Sequence, residues 1–139
     1  MGNVTDTSTS EGRLRVALVT DFYPPAIGGV EVQVRGLARA LESLGHDPRV
    51  ITTGSPEYAP DGVAVDRLGL RRVPRTQVAV PTVGAYRTLR DRLAAGQFDV
   101  IHAHGMFSTL GMGGLIAAAE LGLPSVTTPP PSMSSASCD

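Results

Sequence analysis

The stretch RVALVTDFYPPAIGGVEVQVRGLARALESLGH, residues 15–46, decides the fold. It opens on LRVALVT (14–20), a β-branched and aliphatic run with almost no polar interruption, the pattern of a strand buried on both faces. After Asp21 come two prolines, then Gly28 and Gly29, and then a helical rhythm: Val30, Val34, Leu37, Ala38, Leu41 and Leu44 recur at steps of three and four until Gly45. Two glycines thus stand between a buried strand and a helix N-terminus. The free N–H groups and positive dipole end there favour an anion, and glycine removes the Cβ that would hold a diphosphate away. The spacing is neither the G-x-G-x-x-G of dinucleotide sites nor a P-loop. On spacing alone, a tight turn needing positive φ and a phosphate site are equal alternatives.

Working outward, strand and helix keep alternating. PRVITTG (48–54) and GVAVDRL (62–68) read as strands, TVGAYRTLRDRLAAG (82–96) as a helix with Val83, Tyr86, Leu89 and Leu93 on one face, and FDVIHAHG (98–105) as a short buried strand. FSTLGMGGLIAAAELG (107–122) is a small-residue helix stopped by Gly122, and LPSVTT (123–128) opens a fifth strand. Between them, residues 71–81 hold arginines and prolines in no clear pattern. The alternation predicts an α/β fold: a Rossmann-like parallel sheet with helices on both faces. Residues 1–13 are polar and expected to be disordered, 14–128 form the domain, and 129–139, PPPSMSSASCD, have a composition no central strand can use and are expected to be a disordered or aberrant tail.

Composition excludes several functions. With 12 basic against 13 acidic residues in 139, there is no overall basic field for nucleic acid. All the basic residues are arginine. The lone Cys138 offers neither disulfide nor metal cluster, and a reducing cytoplasm is the expected compartment. The first residues lack the apolar core of a signal peptide, and no apolar run nears the roughly 20 residues of a membrane span, so any membrane contact is expected to be peripheral.

Three further features bear chemistry. Glu31, in the first helical turn, suits the helix dipole and could equally accept from a sugar or acceptor hydroxyl. His102 and His104, two apart on a strand, share a face at its carboxyl end, where open parallel sheets bind ligands. A structural role and substrate contact both remain open for the pair, and no third ligand is spaced for a metal. Tyr23, with Pro24 and Pro25, makes a stiff loop that could wall the same cleft.

These residues carry a resemblance. VTDFYPPAIGGVEVQVRGLARALESLGHDPRVIT (19–52), DVIHAHGMFSTLG (99–111) and AAAELGLPSVTT (117–128) closely resemble the first domain of family-4 glycosyltransferases, retaining enzymes of the GT-B fold. The likeness is greatest to the branch of the GPI-anchor N-acetylglucosaminyltransferase and the phosphatidylinositol mannosyltransferases. The resemblance implies sugar transfer from a UDP- or GDP-sugar to a lipid or glycan hydroxyl with no cofactor or required metal. It also implies that Gly28 and Gly29 approach the donor diphosphate, and that Glu31, His102, His104 and Tyr23 lie at the acceptor and sugar cleft. Two departures stand out. The family's Thr-x-His is replaced here, with Pro130 near the place of its histidine, so no catalytic residue is assigned. The second domain, which holds the nucleotide, is missing, and the chain is expected to be a truncated fragment, inactive alone. Two other readings compete: a non-catalytic Rossmann-like module that pairs with a separate donor-binding chain, and a flavodoxin-like binding domain, disfavoured because no acidic cluster marks the strand ends.

Overall fold

Five runs of aliphatic and β-branched residues become five parallel strands in the computed structural model, which describes residues 12–21, 29–54, 63–76, 78–105 and 108–128, with backbone alone for 29–31. In chain order the elements are β1 (Arg15–Val19), α1 (Gly29–Ser43), β2 (Asp47–Thr53), β3 (Val65–Leu68), α2 (Val83–Ala95), β4 (Val100–His104), α3 (Thr109–Leu121) and β5 (Ser125–Thr128). The strands lie in the order β3-β2-β1-β4-β5. Residues 1–11 and 129–139, on which the tail expectations fall, lie outside the described residues.

The near-continuous apolar reading of β1 follows from its place at the centre. Val16 and Leu18 face one side with Val34 and Ala38 of α1 and Val50 of β2. Ala17 and Val19 face the other with Leu89 and Leu93 of α2 and Leu110, Ala117 and Ala118 of α3. Each successive residue of a strand points to the opposite face, so a strand covered on both sides must be apolar at every position. The register sets β1 between β2 and β4, with Leu18 opposite both Val50 and His102. Since the chain first builds β1, β2 and β3 outward and then crosses back to β4, the strand order reverses between β1 and β4, where doubly wound sheets place their ligand crevice.

Helix ends follow local chemistry. Thr82 caps α2 by accepting from the Ala85 N–H at 3.0 Å, and Ser108 caps α3 by accepting from Gly111 at 3.3 Å. Gly45 and Gly122 stand at φ 92° and 70°, left-handed conformations that end α1 and α3. Where α3 crosses the sheet, Gly114 abuts Val19, and a Cβ on Gly111 would strike the Gly105 carbonyl. The small-residue composition of this helix is therefore a packing requirement.

Three expectations need correction. Val83 does not share the buried face of α2; it is exposed, and Ala85 takes the inward place beside Leu89 and Leu93. Val83 is the first residue after the Thr82 cap, ahead of the helix's buried series, which begins at Ala85. Of the strand expected over 62–68, Gly62 lies outside the described residues and β3 spans Val65–Leu68, with the Ala64 carbonyl accepting from Val50 N–H just before it. The patternless segment 71–80 is a hairpin, in which Val73 N–H bonds the Val78 carbonyl, Val80 N–H bonds the Arg71 carbonyl, and Arg72 and Ala79 form an antiparallel bridge.

Candidate functional site

The candidate site is the carboxyl edge of the sheet around β1 and β4. Gly29 is the first residue of α1 and stands at its N-terminus. Gly28, Tyr23 and Pro130 lie outside the described residues, as does the side chain of Glu31. The structure therefore brings together two of the residues singled out from sequence, His102 and His104, and adds Asp21, Ser108 and Thr128 to them.

His102 and His104 do share a face. Their rings stack with centroids 4.3 Å apart and planes 21° from parallel. His102 Nε2 is 2.7 Å from Thr128 Oγ1, a bond made possible by the β4–β5 register, which sets His104 opposite Thr128. His104 lies deeper, 3% exposed, and among the described residues neither of its ring nitrogens has a hydrogen-bond partner. Burial depresses both imidazoles, and the neighbouring His102 adds to the effect on His104, which falls from 6.5 to about 4. Both rings are neutral at physiological pH. Each then offers one N–H and one acceptor nitrogen, suited to ordering hydroxyl groups. An unsatisfied buried polar group costs about 1–3 kcal/mol, a cost that an incoming hydroxyl would remove.

The sequence marks Asp21 only as the end of the β1 run. In the structure it is fully buried and ties three elements together. One carboxylate oxygen accepts from the Ala79 N–H at 2.8 Å, the other from the Leu110 N–H in the first turn of α3 at 2.7 Å. Burial raises its pKa, and the bonds from Ala79, Ser108, Leu110 and Gly111 oppose that rise. The positive end of α3 is thus filled by the chain's own carboxylate and by the Ser108 cap, whose hydroxyl also donates to the Gly105 carbonyl at 2.7 Å. A signal for this role does exist in the sequence: an acid directly at the end of a doubly buried strand needs donors waiting for it. What those donors are depends on residues 58 and 89 positions away.

Between them, Gly105 at φ 76° turns the chain out of β4, and Gly111 lets the first turn of α3 rest against the backbone of His104 and Gly105. The ring pair, the α3 N-terminus and the end of β1 meet at one edge of the sheet. Among the described residues no three His, Cys, Asp or Glu side chains gather as a metal site, and no helix is long and apolar enough to cross a membrane.

With this geometry in view, similarity to known proteins is informative. The profile of Glycosyltransferase Family 4 matches residues 27–129. The chain is 30% identical over 118 residues to the phosphatidylinositol N-acetylglucosaminyltransferase GPI3 subunit of Saccharomyces cerevisiae, covering 81% of this chain and 26% of that one. It is 34% identical over 119 residues to the GDP-mannose-dependent alpha-mannosyltransferase of Mycobacterium tuberculosis, covering 81% and 31%. It is likewise 34% identical over 122 residues to the GDP-mannose-dependent alpha-mannosyltransferase of Mycolicibacterium smegmatis, again covering 81% and 31%. The chain thus spans between a quarter and a third of the length of these relatives. Among solved structures, CobK precorrin-6A reductase superposes with a TM-score of 0.51 at 20% identity, over 92% of this chain and 43% of that one, a likeness of fold alone.

Proposed function

Because this chain belongs to Glycosyltransferase Family 4, we propose that it is the acceptor-side half of a GT-B enzyme that moves a sugar, with retention, from a UDP- or GDP-sugar to a lipid or glycan hydroxyl. Glycosyl transfer is the chemistry of the relatives named above, and the donor, the acceptor and the stereochemistry belong to the proposal. The observation that carries it is the neutral His102–His104 stack at the carboxyl edge of the sheet, with unpartnered nitrogens on His104.

In this reading the sugar–phosphate bond breaks as the acceptor oxygen bonds to the anomeric carbon, and the negative charge grows on the leaving diphosphate. The N-terminus of α1, which begins at Gly29, faces that charge with its free N–H groups, and Gly28 is assigned to the same diphosphate. The acceptor proton passes to the leaving phosphate, so no strong base is required of this half. His104, neutral, donates or accepts at a sugar hydroxyl without adding a charge that would compete with the diphosphate. Positioning supplies the rest of the rate. Glu31 and Tyr23 complete the acceptor wall. The half that holds the nucleotide base is supplied by a further domain or a separate chain, and the protein works in the cytoplasm at a membrane where lipid acceptors are presented.

The test is calorimetric titration with UDP-N-acetylglucosamine and GDP-mannose, first on this chain and then on the same chain joined to the donor domain of a family relative. The joined protein is expected to bind one donor and turn it over, and the chain alone to turn over neither. Changing His104→Phe in the joined protein is expected to lower kcat while leaving donor binding within a few-fold. Turnover unaffected by His104→Phe, or no turnover of either donor, would sink the reading.

A further inference from the structure

The two outermost strands of the sheet differ in kind. β3 reads Val-Asp-Arg-Leu; its Asp66 pairs with Arg92 of α2, and its Arg67 is buried and donates to the Thr53 carbonyl. Charged side chains of this sort keep an edge strand from pairing with a foreign one. β5, at the opposite flank, reads Ser-Val-Thr-Thr and carries no charge. Its first three residues are exposed, Val126 at 52%, and among the described residues no strand lies beyond it. Residues 100–128 hold a single acidic or basic side chain, Glu120, which Arg90 and the Tyr86 hydroxyl both engage. The segment that builds this flank therefore offers no free charge to turn a neighbour away.

The register tells which backbone groups of β5 are open. The Ile101 N–H bonds the Pro124 carbonyl at 3.0 Å, and Ile101 stands opposite Ser125. Along a strand the backbone groups of successive residues alternate in direction. Those of Pro124, Val126 and Thr128 therefore turn toward β4, and the N–H and carbonyl of Ser125 and of Thr127 turn outward. The row is bounded at both ends. Before it, the Leu123 N–H is spent on the Ala118 carbonyl; after it come Pro129, Pro130 and Pro131, which have no N–H to give a ladder. What remains is a short, uncharged edge of two donors and two acceptors.

Such an edge is complementary to itself when the second strand runs antiparallel. With a two-fold axis at Val126, Ser125 of one copy faces Thr127 of the other, and each such pair exchanges both of its N–H···O bonds. Both pairs form together, so every outward group finds a partner. Val126 then stands opposite its own counterpart as a non-hydrogen-bonded pair, the arrangement that brings side chains closest. Two β-branched residues in that place stabilise an antiparallel pair, and each gains cover for an exposed side chain. The three prolines that follow Thr128 lack the donors to fill the row in the same way.

We propose that two copies of this chain associate through β5, antiparallel about a two-fold axis at Val126, and so join their two five-stranded sheets into one. The axis is normal to the sheet. Both copies of α3 therefore lie on one face and both copies of α1 on the other, and the charged β3 strands become the outer edges. A contact of one short strand pair is small, and interfaces below about 1,200 Å² are weak and transient. The association is therefore reversible, and it stops at two because the same patch is used on both copies. Ser125, Val126 and Thr127 are not assigned to sugar transfer, so failure of this contact would leave the transferase reading standing, and the reverse holds too.

The experiment is sedimentation velocity of the full chain over a dilution series, with no donor or acceptor present. A monomer–dimer equilibrium that moves to monomer on dilution is expected. Thr127→Pro removes an outward N–H and none of the bonds to β4. Losing that donor on both copies should weaken association at least about ten-fold. Val126→Lys and Val126→Glu should each be monomeric, since each sets like charges face to face at the axis, and an equimolar mixture of the two should associate again. Circular dichroism checks that each variant is folded. The mixture singles out this geometry, because only a residue on the axis meets its own counterpart. A chain monomeric at every concentration, assembly that grows past two, unchanged association of Thr127→Pro, or no recovery in the mixture would overturn the proposal. So would a monomer that dimerises once residues 129–139 are removed, which would assign the edge to the chain's own tail.

Discussion

Removing water from both ring nitrogens of His104 couples its protonation to folding. The unfolded chain takes up a proton near 6.5 and the folded one only near about 4. Stability from the neutral ring is therefore complete above the unfolded value and is lost as pH falls through the window between the two. The difference of roughly two and a half units corresponds to about 3 kcal/mol at the acid end. Burial depresses His102 in the same direction, whereas it raises Asp21, which opposes the trend over part of the range. The contribution of His104 is isolated by comparing the parent with His104→Leu in urea titrations from pH 7.5 to pH 4. The parent is expected to lose stability steeply and the variant to have a shallower slope; equal slopes would mean that the ring is not held neutral by burial. At this scale the sequence placed both histidines on one face, because period two is a property of any strand. The depth of His104 could not be read from it, since that depends on α3 crossing directly over the end of β4.

Among the elements, α3 is the one whose composition carries the most structural meaning. Its glycines and alanines look like a weak helix, yet Gly111, Gly113 and Gly114 each meet a neighbour: backbone at 104 and 105, Leu89 on α2, and Val19 on β1. Gly111→Ala would push the first turn of α3 off the Gly105 carbonyl, which is backbone and cannot rotate away. A loss of about 1–3 kcal/mol is expected from such overpacking, together with exposure of the His102–His104 pair. Chemical denaturation measures the first, and the histidine proton resonances titrating toward ordinary values measure the second. A variant as stable as the parent, with unshifted histidine resonances, would show the contact to be soft. The hairpin of residues 71–80 illustrates the opposite case. Its turn uses Arg75 where a glycine would have announced it, so the sequence read as patternless and only the backbone hydrogen bonds reveal the element.

The two ends of the sheet divide the molecule's labour. At the carboxyl edge stand His102, His104, Asp21 and the helix N-termini. At the amino edge Arg15 forms a clasp: its backbone N–H bonds Asp99, its Nε donates to the Gly96 carbonyl at 3.0 Å, its guanidinium pairs with Asp47, and it lies 5.4 Å from the Phe98 ring centre. That clasp joins the starts of β1, β2 and β4 to the end of α2. Arg15→Ala is expected to cost about 1–2 kcal/mol, the scale of a few partly exposed hydrogen bonds, and to leave donor binding by the joined protein unchanged. A comparable loss of binding in the folded variant would show that the edges are coupled.

By itself the sequence determined the α/β alternation, the burial of β1 on both faces, the helix stops at glycine and the pairing of the two histidines on one face. Those follow from periodicity and from backbone limits that act over a few residues. The tertiary structure alone decided that Asp21 would cap α3 across 89 positions, that Val83 would face solvent rather than core, that residues 71–80 would form a hairpin, and that His104 would be stripped of water. Each of these depends on which distant segment arrives at the same edge of the sheet. Local pattern says which face of an element is apolar, and only the assembled sheet says what meets it.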